Sequence, residues 1–277
     1  MDRLLLLCVG MLASGEEVSR DETGVPASYL YQPCRVLEAV PCGPTEPYFP
    51  QPGDIFLATD QARWSRIGHW LAGGGGVHHS GIFYQRTDGR MALLEAGPFN
   101  SVRVESVDPF QHMNKHFQKG DHVWIRRRCV PLTPEQSARL TAFAEAQTGK
   151  PFATLRLLGQ LTPFRSRGPL RTEYLGRVHG ERRSYFCSEL VMECCVAAGL
   201  RAPEDTRPAA TYPRDLFFNH SRIPFLDRHL RLEPDWCPPA RWTEFACPEG
   251  LAIVLITSLH SPASLRIVQP FGTPSQR

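Results

Sequence analysis

The chain has 277 residues, room for one large domain with extensions or for two small ones. Apolar residues make up 42% and charged residues 21%, a balance that supports a sizeable core. The net charge of +3 is small for this length and argues against a dedicated nucleic-acid binder.

In chain order, MDRLLLLCVGMLASG comes first. Leu4 to Leu12 is an apolar run of signal-peptide length, too short to span a bilayer, and Ala13-Ser14-Gly15 supplies small residues for cleavage. Residues 1–15 are therefore read as a signal peptide and the protein as exported, periplasmic or extracellular. The alternative is the first element of a cytoplasmic fold. No other run is long enough to form a transmembrane segment, and LAIVLITSL (251–259) reads as a buried strand. Residues 16–50 carry Pro26, Pro33, Pro41, Pro44, Pro47 and Pro50 and read as an extended lead-in. There are nine cysteines. Cys34 and Cys42 flank one Pro-rich turn, and Cys237 and Cys247 flank another, so an exported form would allow each pair a disulfide. No C-x-x-C occurs, which argues against a zinc ribbon or a thioredoxin-type site.

Order begins at QPGDIFLATD, a turn at Pro52-Gly53 and a strand over 54–58. Residues 61–72 fit a short helix ended by Gly73 to Gly76, and the absence of a following Gly-Lys-Ser/Thr argues against a phosphate loop. VHHSGIFYQR (77–86) and RMALLEAGP (90–98) read as strands joined by Thr87-Asp88-Gly89, with further strands over 101–107 and 122–128. Thr133 as N-cap and Pro134 at the first position open a helix that runs to Gly149. Arginines cluster at 126–128 and from 165 to 183. They read as a solvated basic face, with a patch for an anionic substrate as the alternative. The predicted class is α+β: an antiparallel sheet with helices packed beside it.

The stretch RSYFCSELVMECC (183–195) carries Cys187, Cys194 and Cys195. With Ser184 as N-cap, Cys187 sits at the third helical position, where unpaired N–H groups and the helix dipole favour a thiolate. Cys194 and Cys195 lie two turns further along the apolar stripe and read as small buried hydrophobes. A nucleophile needs a base and a group to orient it. His79, Gly81 and Phe83 share one face of their strand, and Glu95 is an acid among apolar residues on the next. A two-residue turn would place Glu95 and His79 on opposite faces. A loop of Thr87-Asp88-Gly89, with Gly89 left-handed, pairs Arg86 with Arg90 and sets Glu95 opposite Gly81, diagonal to His79. This second register is the expectation. Arg103 is the alternative partner for Glu95, and His69, His78 and His112 read as surface or packing residues.

PGDIFL, HHSGI, LLEAG, YFCSELV and YPRDLF, in this order, resemble the circularly permuted papain-like cysteine hydrolases, the YiiX/YebB-like branch of the NlpC-type superfamily. The likeness spans about residues 51–217, and Gly149-Lys150-Pro151-Phe152 resembles the family's Gly-x-Pro-aromatic corner. It implies a permuted papain-like fold over 51–230 with a C-terminal extension at 231–277. It also implies Cys187 as nucleophile, His79 as base and Glu95 as orienting acid. The expected activity is hydrolysis of amide bonds, peptide, isopeptide or cell-wall, through a thioacyl-enzyme that requires no metal or organic cofactor. Lipid thioesterase or acyltransferase activity and a catalytically silent binding domain are the alternatives. The long basic insert, 160–183, departs from the family pattern.

Overall fold

The computed structural model describes residues 28–33, 37, 44–59, 75–97, 102–154, 156, 162 and 180–244. The expected signal peptide, the helix over 61–72, the Cys34–Cys42 pair, most of the basic insert and the strand at 251–259 lie outside the described residues.

Eight antiparallel strands form one sheet in the order β2-β1-β8-β7-β3-β4-β5-β6. They are β1 (Tyr29–Pro33), β2 (Thr45–Pro47), β3 (Ile55–Ala58), β4 (His79–Gln85), β5 (Met91–Gly97), β6 (Arg103–Val107), β7 (Val123–Arg126) and β8 (Ala240–Thr243). The helices are α1 (Pro109–Gln118), α2 (Pro134–Gln147), α3 (Cys187–Ala197), α4 (Pro213–Phe218) and α5 (Pro224–Asp227). The chain is α+β, as predicted. Its sheet runs past both ends of the expected 51–230 unit. Residues 29–33 and 45–47 of the lead-in pair with each other and, through β1, with β8 in the C-terminal stretch. No helix among the described residues is long and apolar enough to cross a membrane.

The pleat sorts side chains onto two faces. Ile55, Leu57, Ile82, Tyr84 and Leu94 pack with Leu140 of α2, Leu190 and Val191 of α3 and Leu216 of α4. Phe56, Phe83 and Leu93 pack on the other side with Met113 of α1, Leu30 and Trp242. The β4–β5 loop is the three-residue one: Gly89 is left-handed at φ 85°, Arg86 N–H donates to Arg90 O at 2.8 Å, and Gly81 pairs with Glu95. Thr133 caps α2, accepting from Gln136 N–H at 3.2 Å while Gln136 Oε1 accepts from Thr133 N–H at 3.0 Å.

Two expectations are corrected. Cys237 bonds to Cys129 and not to Cys247. Cys129 N–H donates to Asp235 O and Cys237 N–H to Arg127 O, each at 2.9 Å, and this ladder sets their Cα atoms 5.5 Å apart, a disulfide spacing. The arginines at 126–128 are also no solvated face. Arg126 is fully buried and pairs with Glu233 at 2.6 Å, Arg127 pairs with Glu46, and Arg128 stacks on Trp236.

Candidate active site

The site is built at the start of β4. The ladder between β4 and β5 begins at Gly81↔Glu95, so His79 and Ser80 extend beyond it. Pro151 bridges to Arg103, and Phe152 pairs with Tyr185, which brings the chain entering α3 to this end of the sheet. The Gly-x-Pro-aromatic corner thus aims α3: Phe152 N–H donates to Val102 O at 2.8 Å and Ala153 N–H to Tyr185 O at 3.0 Å. Tyr185 is fully buried, donating to Gln147 Oε1 at 3.0 Å and accepting from Arg182 N–H at 2.9 Å, so its role is packing.

Cys187 is the first residue of α3, not the third. The cap residue is Phe186, in extended conformation, and not Ser184. Glu189 decides this. Its carboxylate accepts from Phe186 N–H at 3.2 Å and is itself held by Arg156 at 2.8 Å and Arg182 at 2.7 Å, all with Glu189 fully buried. The shift strengthens the local electrostatics, because the N–H groups of the first turn have no partners within the helix and aim at the thiol's surroundings.

His79 and Glu95 meet. His79 Nε2 lies 2.6 Å from Glu95 Oε2, with both side chains buried. His79 and Ser80 flank the buried thiol of Cys187 and favour its charged form. With Nε2 committed to Glu95, Nδ1 is the ring nitrogen left for the thiol. Burial acts to lower the His79 pKa, but the Glu95 carboxylate and the Cys187 sulfur outweigh it and raise it to about 10. Burial acts to raise Cys187, and His79 together with Ser80 outweighs it, so the thiol lies below its ordinary value. Glu95, despite its burial, is held well below the usual carboxylate range by the two histidines beside it. Together these set a thiol of lowered pKa beside an imidazole that holds its proton, with a carboxylate against the ring. The other two helix cysteines differ: burial raises Cys194 well above the ordinary thiol value and Cys195 to about 12.

Arg103 does not reach Glu95; it donates to Gly149 O at 3.0 Å. The second partner of Glu95 is His112 of α1, with Nε2 at 2.9 Å from Oε2. His112, expected at the surface or in simple packing, is buried, and behind it lies His116, with its Nε2 3.1 Å away. His116 Nδ1 in turn lies 2.8 Å from buried Asp121. The sequence held a signal for this group. Asp108-Pro109 is a cap-and-proline start like Thr133-Pro134, and it sets His112 and His116 one turn apart on one helix face.

His79 Nε2, Glu95 Oε2 and His112 Nε2 lie within 4.8 Å of one another, donors of the type that hold a cation. The contacts of 2.6 and 2.9 Å to the shared oxygen are hydrogen-bond lengths, whereas a tetrahedral ion with bonds of about 2.0–2.1 Å would spread its ligands to more than about 3 Å.

No family model matches the chain, and no curated protein matches it. Among solved structures it is similar to metalloprotein yiiX from Escherichia coli O157:H7, at 22% identity over 55% of this chain and 67% of that one, with a TM-score of 0.38.

Proposed function

We propose that the protein is a cysteine hydrolase acting on amide bonds, peptide or isopeptide, on a circularly permuted papain-like scaffold. The observation that supports it is the buried contact chain from Cys187, at the start of α3, through His79 to Glu95. His79 holds the thiol proton, leaving a thiolate that attacks the carbonyl carbon. The carbon–sulfur bond forms as the carbonyl π pair moves to oxygen, where the backbone N–H of Cys187 stabilises the oxyanion. The intermediate collapses, and the imidazolium gives its proton to the departing amine. His79 then takes a proton from water, hydroxide attacks the thioester, and the acid leaves with the thiol restored. Glu95 stays ionised, holding the ring in one tautomer and stabilising the imidazolium.

The test is alkylation by iodoacetamide across pH, mapped to each cysteine by peptide mass, in the wild type and in His79→Ala. Incubation with peptide amides and with acyl esters follows, with quenching in acid. Cys187 alone is expected to react well below the free-thiol pKa of about 8.5 and to lose this with His79. A mass adduct of the acyl group is expected on Cys187 from the amides. Alkylation of Cys187 no faster than Cys194 or Cys195 would sink the reading. An adduct from esters alone would move the substrate class to lipid-like acyl donors.

A further inference from the structure

We infer that His112, His116 and Asp121 form a buried positioning relay that fixes, from helix α1 on the same face of the sheet, which hydrogen Glu95 accepts and therefore which nitrogen of His79 faces Cys187. The inference rests on the proposed thiol chemistry for its consequence, but the relay itself stands on four consecutive contacts: 2.8, 3.1, 2.9 and 2.6 Å from Asp121 to His79.

The proton positions follow from counting donors and acceptors. A carboxylate only accepts, so Asp121 fixes a proton on His116 Nδ1. A neutral His116 then carries a lone pair on Nε2. The facing nitrogen, His112 Nε2, must supply the proton between them, because two lone pairs at 3.1 Å repel and two N–H groups collide. His112 therefore carries a hydrogen on Nε2, and that one hydrogen is shared between His116 Nε2 and Glu95 Oε2. Glu95 again only accepts, so His79 also presents Nε2–H. Nδ1 of His79 is left facing the thiol, and it is the nitrogen that takes the proton of Cys187. The surroundings agree with a neutral His116: it stacks on His79 at 6.0 Å, touches His112, and packs on Phe56 at 5.5 Å. Its anionic partner in the relay is Asp121, and burial, with the positive charge of His79, acts to keep a second proton off it. The three distal residues act through Glu95, which two donors hold in place where one would leave it free to turn.

Two measurements test this on the full chain. Ring 15N–1H correlation spectra of histidine-labelled protein read the tautomers directly, without reference to activity. His116 as Nδ1–H and His112 as Nε2–H are expected; His112 as Nδ1–H, or His116 as a cation at pH 7, would overturn the relay. The pH profile of Cys187 alkylation is then compared in His112→Phe and His112→Gln. Phenylalanine keeps the ring volume but has no donor, and the acid limb is expected to rise by about one pH unit, a loss of about tenfold in rate at pH 6. Glutamine restores an N–H and is expected to return the rate to within about threefold of wild type. A merely structural role would give no rescue. A folded His112→Phe with the wild-type profile would refute the relay while leaving the Cys187–His79 pair intact. Poor reactivity in the wild type, with the expected tautomers present, would refute the hydrolase reading and leave the relay standing.

Discussion

At Glu95 two histidine N–H groups converge on one oxygen, and this residue sets the charge state of everything between it and the thiol. Its carboxylate is the leading influence that raises His79 against burial. Removing the charge but not the shape, by Glu95→Gln, leaves the imidazolium in a desolvated site without its counterion. The His79 pKa is expected to fall by about one to three units, and the acid limb of Cys187 alkylation to rise toward the free-thiol value. Turnover at pH 7 is expected to fall by about 10²- to 10⁴-fold. Rate–pH profiles of the variant check both, and an unchanged acid limb would remove Glu95 from the site. Stability carries the same signature. Folding raises the His79 pKa above 6.5, so its contribution is complete below pH 6.5 and is lost as the pH climbs through about 10. Denaturation between pH 7 and 10.5 should show that loss in the wild type and a smaller one in Glu95→Gln.

At the scale of elements, the β4–β5 hairpin is what makes the site, and Gly81 is what permits the hairpin. A Cβ at Gly81 would lie 2.8 Å from Leu94 O and 2.8 Å from a Leu93 methyl, too close to backbone for a rotamer to relieve. Gly81→Ala must push β5 outward next to Glu95. A cost of about 1–3 kcal/mol in urea unfolding is expected, with slower alkylation of Cys187 as the Glu95–His79 contact opens. If neither changes, the two strands have slack that these contacts do not show. This hairpin was legible in the sequence because its information is local: Gly89 sets the turn, the turn sets the register, and the register brings Glu95 to His79. The start of α3 was not legible to the same degree. Serine is the better N-cap by propensity, yet Phe186 takes the place because buried Glu189, fixed by Arg156 and Arg182, reaches back to its N–H. Helix α1 was passed over because PFQHMNKHFQ has a largely polar stripe; two of the buried residues on it are the histidines of the relay.

At the scale of the whole molecule, the chain's two ends join the sheet, and sequence reading missed this for a physical reason. A three-residue strand such as β2 has no periodicity of its own, and β1 finds its partner β8 some 200 residues away, at Tyr29↔Thr243 and Leu30↔Trp242. The same distance gives the Cys129–Cys237 bond its weight. It ties the end of β7 to the segment leading into β8 across a separation of 108 residues, next to the buried Trp236 whose indole N–H donates to Gly53 O. Closing a loop of that size removes much of the unfolded chain's freedom, on the order of 5 kcal/mol in the chain-entropy account. Cys237→Ser is therefore expected to lower unfolding free energy by about 2–5 kcal/mol. Cys187 alkylation under native conditions should change little, because the bond sits at the end of β7, two strands away from β4 and three from β5 in the sheet. Non-reducing peptide maps should recover 129 linked to 237 and never 237 linked to 247. Recovery of the second pairing would undo the account of how the C-terminal stretch is held. Equal stability of wild type and variant under oxidising conditions would show that the sheet pairing of β8, and not the covalent tie, keeps the ends in place.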